Sequence, residues 1–185
     1  LDAWDEIVPS VLNYLGEDPS STDKNLLSGK VTDVLKSIRP HVRYFHSSQY
    51  INDLANGDVC LSVGWSGDIL QAVDRAAEAE NGVEVAYIIP KEGAGLWFDM
   101  LAIPKDASHP NNAHTFLNYL MRPDVIADIT NYVWYPNAVP ASTSKIDEEI
   151  TSDPSIYPTP EVAANLFTFP VYGPKFDRQG ARMWT

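Results

Sequence analysis

The stretch "DVCLSVGWSGDILQAVDRAA", residues 58–77, constrains the fold of this 185-residue chain more than any other. Its first part, "VCLSVGW" (59–65), is almost continuously apolar, as expected of a strand buried on both faces of a parallel sheet. The residues after it change period: Ile69, Leu70, Val73, Ala76 and Ala77 share one face of a helix. A buried strand running directly into an amphipathic helix is the repeating unit of α/β layers, so the expected fold class is α/β.

The rest of the chain reads compatibly. "DAWDEIVPSVLNYLG" predicts a helix that Asp2 could cap and Gly16 ends. "NLLSGKVTDVLKSI" has helical spacing at Leu27, Val31, Val34, Leu35 and Ile38, and stops at Pro40. "VRYF" is a short strand candidate, and "SQYINDLANGD" a short helix closed by Gly57. "VEVAYIIP" and "LWFDMLAIP" are strand candidates joined by "KEGAG". Two helices follow, one with Ala113, Phe116, Leu117 and Leu120 on its apolar face, the other with Val125, Ile126, Ile129 and Val133. Pro123 suits the first turn of the second. From about residue 136 the chain becomes Pro-rich ("YPNAVPAS", "TSDPSIYPTP", "FPVYGP") and reads as a wrapping segment around short helices.

Composition excludes several classes. A formal net charge of −12 opposes general affinity for nucleic acid, which needs Lys and Arg at the phosphates. No apolar run approaches the roughly 18 residues of a membrane helix. The single cysteine, Cys60, allows neither an internal disulfide nor a multi-cysteine metal site, and its apolar neighbours mark it as a small buried side chain. The four histidines form no H-E-x-x-H pattern, so no metal ligands are assigned. With neither an initiator Met nor a signal segment at "LDAWDEIVPS", the chain is expected to be a mature or excised piece.

Within the opening stretch, "GWSGD" almost spells the G-x-S-x-G elbow of serine hydrolases, but Asp68 stands where the second Gly belongs, and no HGGG-type oxyanion motif occurs. Ser66 reads more simply as a helix N-cap than as a nucleophile, and no catalytic residue is assigned. The serine-hydrolase reading, with Ser66 as nucleophile, stays open as the alternative of another class. The same turn displays Trp65 and Asp68 at a strand's C-terminal end, where open α/β sheets bind ligands. In "GLWFDM", Trp97 and Asp99 are two apart and would share one strand face. An indole beside a carboxylate suits an alkylammonium ion: the carboxylate takes N–H bonds, and the ring adds cation–π attraction. Each position also has a plainer reading. Asp68 complements a helix N-terminus, Trp97 and Tyr135 pack, Glu6 is first-turn surface, and Ser47 caps the following helix. Asp99 resists such a reading, because a charge in an apolar strand is costly unless paired.

"YFHSSQYINDLANGD", "GWSGD", "IPKEGAGLWFDMLAIP", "FLNYLMRPDVIADIT" and "DPSIYPTPEV" together resemble the periplasmic polyamine-binding proteins of bacterial ABC importers. The resemblance runs through essentially the whole chain and matches the C-terminal half of such a protein. It implies a two-lobed periplasmic-binding-protein-like (type II) architecture closing on spermidine or putrescine. Residues 1–82 would belong to the second α/β lobe, residues 83–135 to a hinge crossing and part of the first lobe, and residues 136–185 to a segment returning toward the second lobe. Carried over position by position, the resemblance makes Asp68 and Asp99 anchors for ammonium groups and Trp65 and Trp97 aromatic walls. Glu6, Ser47 and Tyr135 become further polyamine contacts. It also implies a non-catalytic receptor without cofactor, located in the periplasm. Its partners would be the polyamine, the absent N-terminal half and an ABC permease of the inner membrane. Spermidine is the favoured ligand, because Trp97 offers a wider π face than the Phe frequent in putrescine-binding members; a putrescine preference is the alternative.

Overall fold

The computed structural model describes all residues, 1–185. In chain order the helices are α1 (Trp4–Tyr14), α2 (Lys24–Leu26), α3 (Thr32–Ile38), α4 (Tyr50–Ala55), α5 (Ser66–Ala79), α6 (Pro110–Leu120), α7 (Pro123–Val133), α8 (Glu148–Thr151), α9 (Pro160–Ala163) and α10 (Pro174–Trp184). Two short strands, β1 (Gly95–Leu96) and β2 (Phe167–Thr168), pair in parallel with Gly95 opposite Phe167 and Leu96 opposite Thr168. The chain divides into one compact unit of residues 1–97 and 160–185 and another of residues 98–159.

The first unit has two apolar clusters. In one, α1 turns Val8, Val11 and Leu12 against Leu27, Val31 and Phe176, with Trp4, Tyr172 and Met183 packed around them. Pro9 lies inside α1 and is buried, and having no N–H it leaves the Asp5 carbonyl without its usual intrahelical donor. Between α2 and α3 the single expected helix is interrupted by a π-turn over Leu27–Val31, where Gly29 takes φ −102° and ψ −105°. The extra residue keeps both Leu27 and Val31 buried, and Thr32 Oγ1 donates to the Leu27 carbonyl at 2.7 Å across the widened turn. In the second cluster, Tyr50 and Leu54 of α4 pack on Ile69 and Ala72 of α5, flanked by Val59, Val85 and Tyr87. Gly57, at φ +77°, ends the α4 segment as its sequence predicts.

In the second unit, α7 buries Ala127 and Thr130. This is a different face from the Ile129/Val133 side anticipated from apolar spacing; both of those side chains are exposed. A polar chain explains the choice: Asn137 Nδ2 donates to Thr130 Oγ1 at 2.9 Å, and Ser142 Oγ donates to Asn137 Oδ1 at 3.0 Å. These buried polar groups find partners on that face, and such satisfied networks specify packing as firmly as apolar contact does.

Several local expectations are corrected. The strand candidates 42–45, 59–65 and 83–90 form no ladder, and of "LWFDMLAIP" only Leu96 belongs to a strand. Leu61, Val63 and Ile88 are accordingly exposed, as is Cys60, which had read as buried. A strand needs the ladder hydrogen bonds of a paired neighbour, and these segments take part in no ladder. Ser66 is the first residue of α5 rather than its cap; Trp65 holds that position and supplies no side-chain bond. Asp2 does not cap α1 but accepts from Trp184 Nε1 at 2.8 Å. Ser47 does not cap α4; it accepts from the Asp2 N–H at 3.1 Å, while His46 Nδ1 takes the N–H groups of Ser48 and Gln49. The Pro-rich end also contains an 11-residue helix, α10, where only short ones had been expected.

Candidate functional site

Three of the residues singled out in the sequence come together in the first unit around the turn that opens α5. Trp65 is extended (φ −76°, ψ 144°), and its carbonyl accepts from the Ile69 N–H at 3.1 Å, which starts the helix. Asp68 therefore falls in the first turn, where the helix dipole favours its negative charge. Its Oδ2 accepts from the Tyr50 hydroxyl at 2.7 Å. That hydroxyl also accepts from the Trp65 N–H at 3.3 Å, so one phenol links the carboxylate to the backbone beside it.

The Trp65 ring is fixed from the other side. Its Nε1–H donates to Glu6 Oε2 at 2.8 Å, tying the indole to the third residue of α1. Burial pushes the Glu6 carboxyl above its ordinary value of 4.5, and the indole hydrogen bond opposes that shift. A carboxylate has about four lone-pair sites. One donated hydrogen bond apiece therefore leaves both Glu6 and Asp68 with acceptor capacity for a cation. Trp65 is half-buried, held through its indole by Glu6 and through its backbone N–H by the Tyr50 hydroxyl.

Gly64 makes this arrangement possible. A Cβ there would sit 2.5 Å from Tyr50 Cε2 and 2.8 Å from Ile69 Cδ1, so only glycine lets the turn close over the Tyr50 ring. Neither Tyr50 nor Gly64 was singled out in the sequence. The available signal was a Tyr, rather than a Phe, at a core-facing helical position, since a buried phenol usually finds a partner.

Of the remaining candidates, Ser47 and Trp97 belong to the first unit and Asp99 and Tyr135 to the second. Ser47 is occupied by the Asp2 N–H. Trp97 is partly exposed just after β1, with its ring centroid 6.4 Å from that of Phe169 at an angle of 45°. Asp99 belongs to the second unit, is exposed, and lies in a segment without regular structure rather than in an apolar strand. Tyr135, in the same unit, follows the left-handed Trp134 (φ 59°) that ends α7, and is half-buried.

No helix is long and apolar enough to cross a membrane. Residues 2–159 match the family model described as bacterial extracellular solute-binding protein. Over all 185 residues the chain is 54% identical to the putrescine-binding periplasmic protein PotF of Escherichia coli, and 50% identical to the putrescine-binding periplasmic protein SpuD of Pseudomonas aeruginosa. It is 29% identical, over 160 residues, to the spermidine/putrescine-binding periplasmic protein of E. coli, covering 86% of this chain and 44% of that relative. PotF and SpuD are each covered to 50%, so the chain spans about half the length of these curated relatives. Among solved structures, a Listeria monocytogenes protein provisionally assigned as a spermidine/putrescine ABC transporter superposes with a TM-score of 0.82 at 27% identity, over 98% of this chain and 54% of that one. The fold is thus that of periplasmic-binding-protein-type polyamine receptors, about half of which this chain accounts for. Matched over most of its length by the family model, the chain belongs to the bacterial extracellular solute-binding proteins.

Proposed function

We propose that this chain is the polyamine-anchoring part of a periplasmic receptor whose favoured ligand is putrescine and which delivers it to an ABC permease. The observation that carries the reading is the Glu6–Trp65–Tyr50–Asp68 cluster, an indole and two carboxylates each held by a hydrogen bond within one unit. Its chemistry suits a primary ammonium group flanked by methylenes. The relatives at 54% and 50% identity carry putrescine alone in their names, whereas those reported with spermidine in their names are 31% identical or less. This favours putrescine over the spermidine preference expected from the size of Trp97.

Asp68 and Asp99 are the ammonium anchors in this reading, and Trp65, Trp97 and Tyr135 supply aromatic surface. Glu6 and Ser47 add polar contacts. The receptor is non-catalytic and needs no cofactor; Ser66 acts only as the first residue of α5. The division into a second lobe (1–82), a crossing with part of the first lobe (83–135) and a returning segment (136–185) belongs to the same proposal. So does the further chain length that the relatives possess, which would supply neighbours for the unpaired segments at 59–65 and 83–90.

Calorimetric titration of the protein expressed from its complete gene, with putrescine and spermidine in turn, tests this directly. The expected result is saturable binding of both diamine and triamine, putrescine the tighter. Micromolar affinity corresponds to about −8 kcal/mol. A few charge-assisted hydrogen bonds at about 1.5–3 kcal/mol each and cation–π contacts at about 0.5–2 kcal/mol each reach that scale. Absence of binding to either amine would refute the receptor reading, and tighter binding of spermidine would refute the putrescine preference.

A further inference from the structure

We propose that Tyr50 is a positioning residue that sets how well the Trp65–Asp68 turn holds an ammonium group. The inference rests on the polyamine reading above and concerns a residue that touches Asp68 rather than the ligand. The Tyr50 side chain is 1% exposed, so its hydroxyl must find partners within the protein. A phenol has one proton to donate. The geometry spends that proton on Asp68 Oδ2 at 2.7 Å and presents the oxygen to the Trp65 N–H at 3.3 Å. Both partners belong to the candidate site, and the ring is packed on every side. Leu54, Ile69 and Ala72 share its cluster, and Gly64 lies close against its Cε2 and Cζ edge.

Two effects of opposite sign follow from the hydroxyl. Donation to Asp68 draws electron density from the carboxylate and weakens it slightly as an acceptor for an incoming amine. Fixing the carboxylate removes the need to order it when the ligand arrives. Polarisation along a hydrogen-bond chain changes a bond by roughly 10–30%, whereas ordering a mobile side chain at a binding site weakens affinity by about 2–12-fold. Orientation wins, so Tyr50→Phe, which keeps the packed ring and deletes only the oxygen, weakens polyamine binding by about 3–10-fold. The loss runs through Asp68, so it shrinks to less than about twofold in an Asp68→Asn background, where residues in one hydrogen-bond network couple strongly.

The test is a double-mutant cycle of Tyr50→Phe and Asp68→Asn, with putrescine affinity measured by calorimetry on the protein from its complete gene and thermal melts run in parallel. Weakening by Tyr50→Phe alone, with little further loss in the Asp68→Asn background, supports the assignment. An unchanged affinity, or an equal fold-loss in both backgrounds, overturns it, because a general packing defect would act regardless of residue 68. Should Tyr50→Phe fail to fold, hydrogen exchange at the Trp65 amide of the unmodified protein decides instead: protection supports the bridge, and exchange at the rate of an open amide overturns it. If the unmodified protein binds no polyamine at all, the receptor reading fails first, and the same amide measurement still tests whether the bridge exists.

Discussion

Replacing Gly64 by alanine should damage the candidate site without touching any residue that faces a ligand. The added methyl would lie 2.5 Å from Tyr50 Cε2, 2.9 Å from Tyr50 Cζ and 2.8 Å from Ile69 Cδ1. Carbon atoms settle at about 3.5–4.0 Å, so the Tyr50 ring edge would have to retreat by about 1 Å. Ile69 Cδ1 can rotate away at modest cost, but Tyr50 is fully buried and has nowhere to go. Overpacking of this kind costs about 1–3 kcal/mol. Against it stands the restricted unfolded chain of alanine, which favours the variant by about 0.4–1 kcal/mol. The net expectation is a loss of about 1–2 kcal/mol in urea unfolding with an unchanged m-value. A shift of 1 Å also carries the phenol oxygen out of hydrogen-bonding range of either Asp68 Oδ2 or the Trp65 N–H. Putrescine affinity should therefore fall together with stability. A Gly64→Ala protein with unaltered stability and affinity would refute the claim that the turn is closed tightly over the ring.

Glu6 should couple binding to pH. Its carboxyl is raised above 4.5 by burial, so the neutral form is favoured in the folded protein. Its contribution to stability is then fully present below about 4.5 and disappears as pH rises through the raised value. Glu6→Gln should remove that part of the pH dependence, matching the unmodified protein in acid and equalling or exceeding it at neutral pH in chemical denaturation without ligand. A cationic ligand favours the ionised form, so putrescine affinity should drop as acidification passes the raised value, and Glu6→Gln should flatten that drop in titrations at several pH values. Trp97→Phe should raise the putrescine-to-spermidine affinity ratio several-fold, since cation–π contacts weaken with the smaller ring; an unchanged ratio in competition binding would exclude Trp97 as a selector. Gly180→Ala pits a helix-propensity gain of about 1 kcal/mol against the Trp4 ring, on which the new methyl would fall. Trp4 is stacked on Tyr172 with centroids 5.1 Å apart and cannot withdraw freely. The expected balance is a net destabilisation of up to about 2 kcal/mol, measured by thermal or urea unfolding.

Features governed by neighbours in sequence were legible before the structure. The 3.6-residue spacing placed α5, α6 and α7, boundary residues placed α1 and α4, and Gly57 and Pro123 stand where their backbone preferences put them. The aromatic–carboxylate turn at 65–68 was legible for the same reason, since a strand-like run and a helical run meet there. Helix caps were less so, because a cap depends on which donor is free. Asp2, Ser47 and Ser66 all have the right side chain, but Asp2 accepts from Trp184, Ser47 accepts from Asp2, and Ser66 sits one residue too late. Helix α10 begins at Pro174, within the Pro-rich segment read as wrapping around short helices, and proline is equally a helix starter.

The strands and Tyr50 were illegible for a deeper reason, which also explains why the candidate site residues stood out in the sequence before their support did. An apolar run records that a segment wants burial but not who covers it, and 59–65 has its helix without a sheet neighbour. Leu61 and Val63 are left facing outward in consequence. Tyr50 is the converse case, a residue whose role depends on a partner 18 positions away, to which its own helical pattern gives no pointer. Its ring could be assigned to the core from spacing alone, but its hydroxyl could not be assigned to Asp68 until α4 and α5 were packed. Ligand-facing chemistry tends to show in residue type, because a carboxylate beside an indole is costly to place without a use. The groups that hold such a pair in place look like ordinary core residues, and only the packed structure separates Tyr50 from Leu54 one turn away.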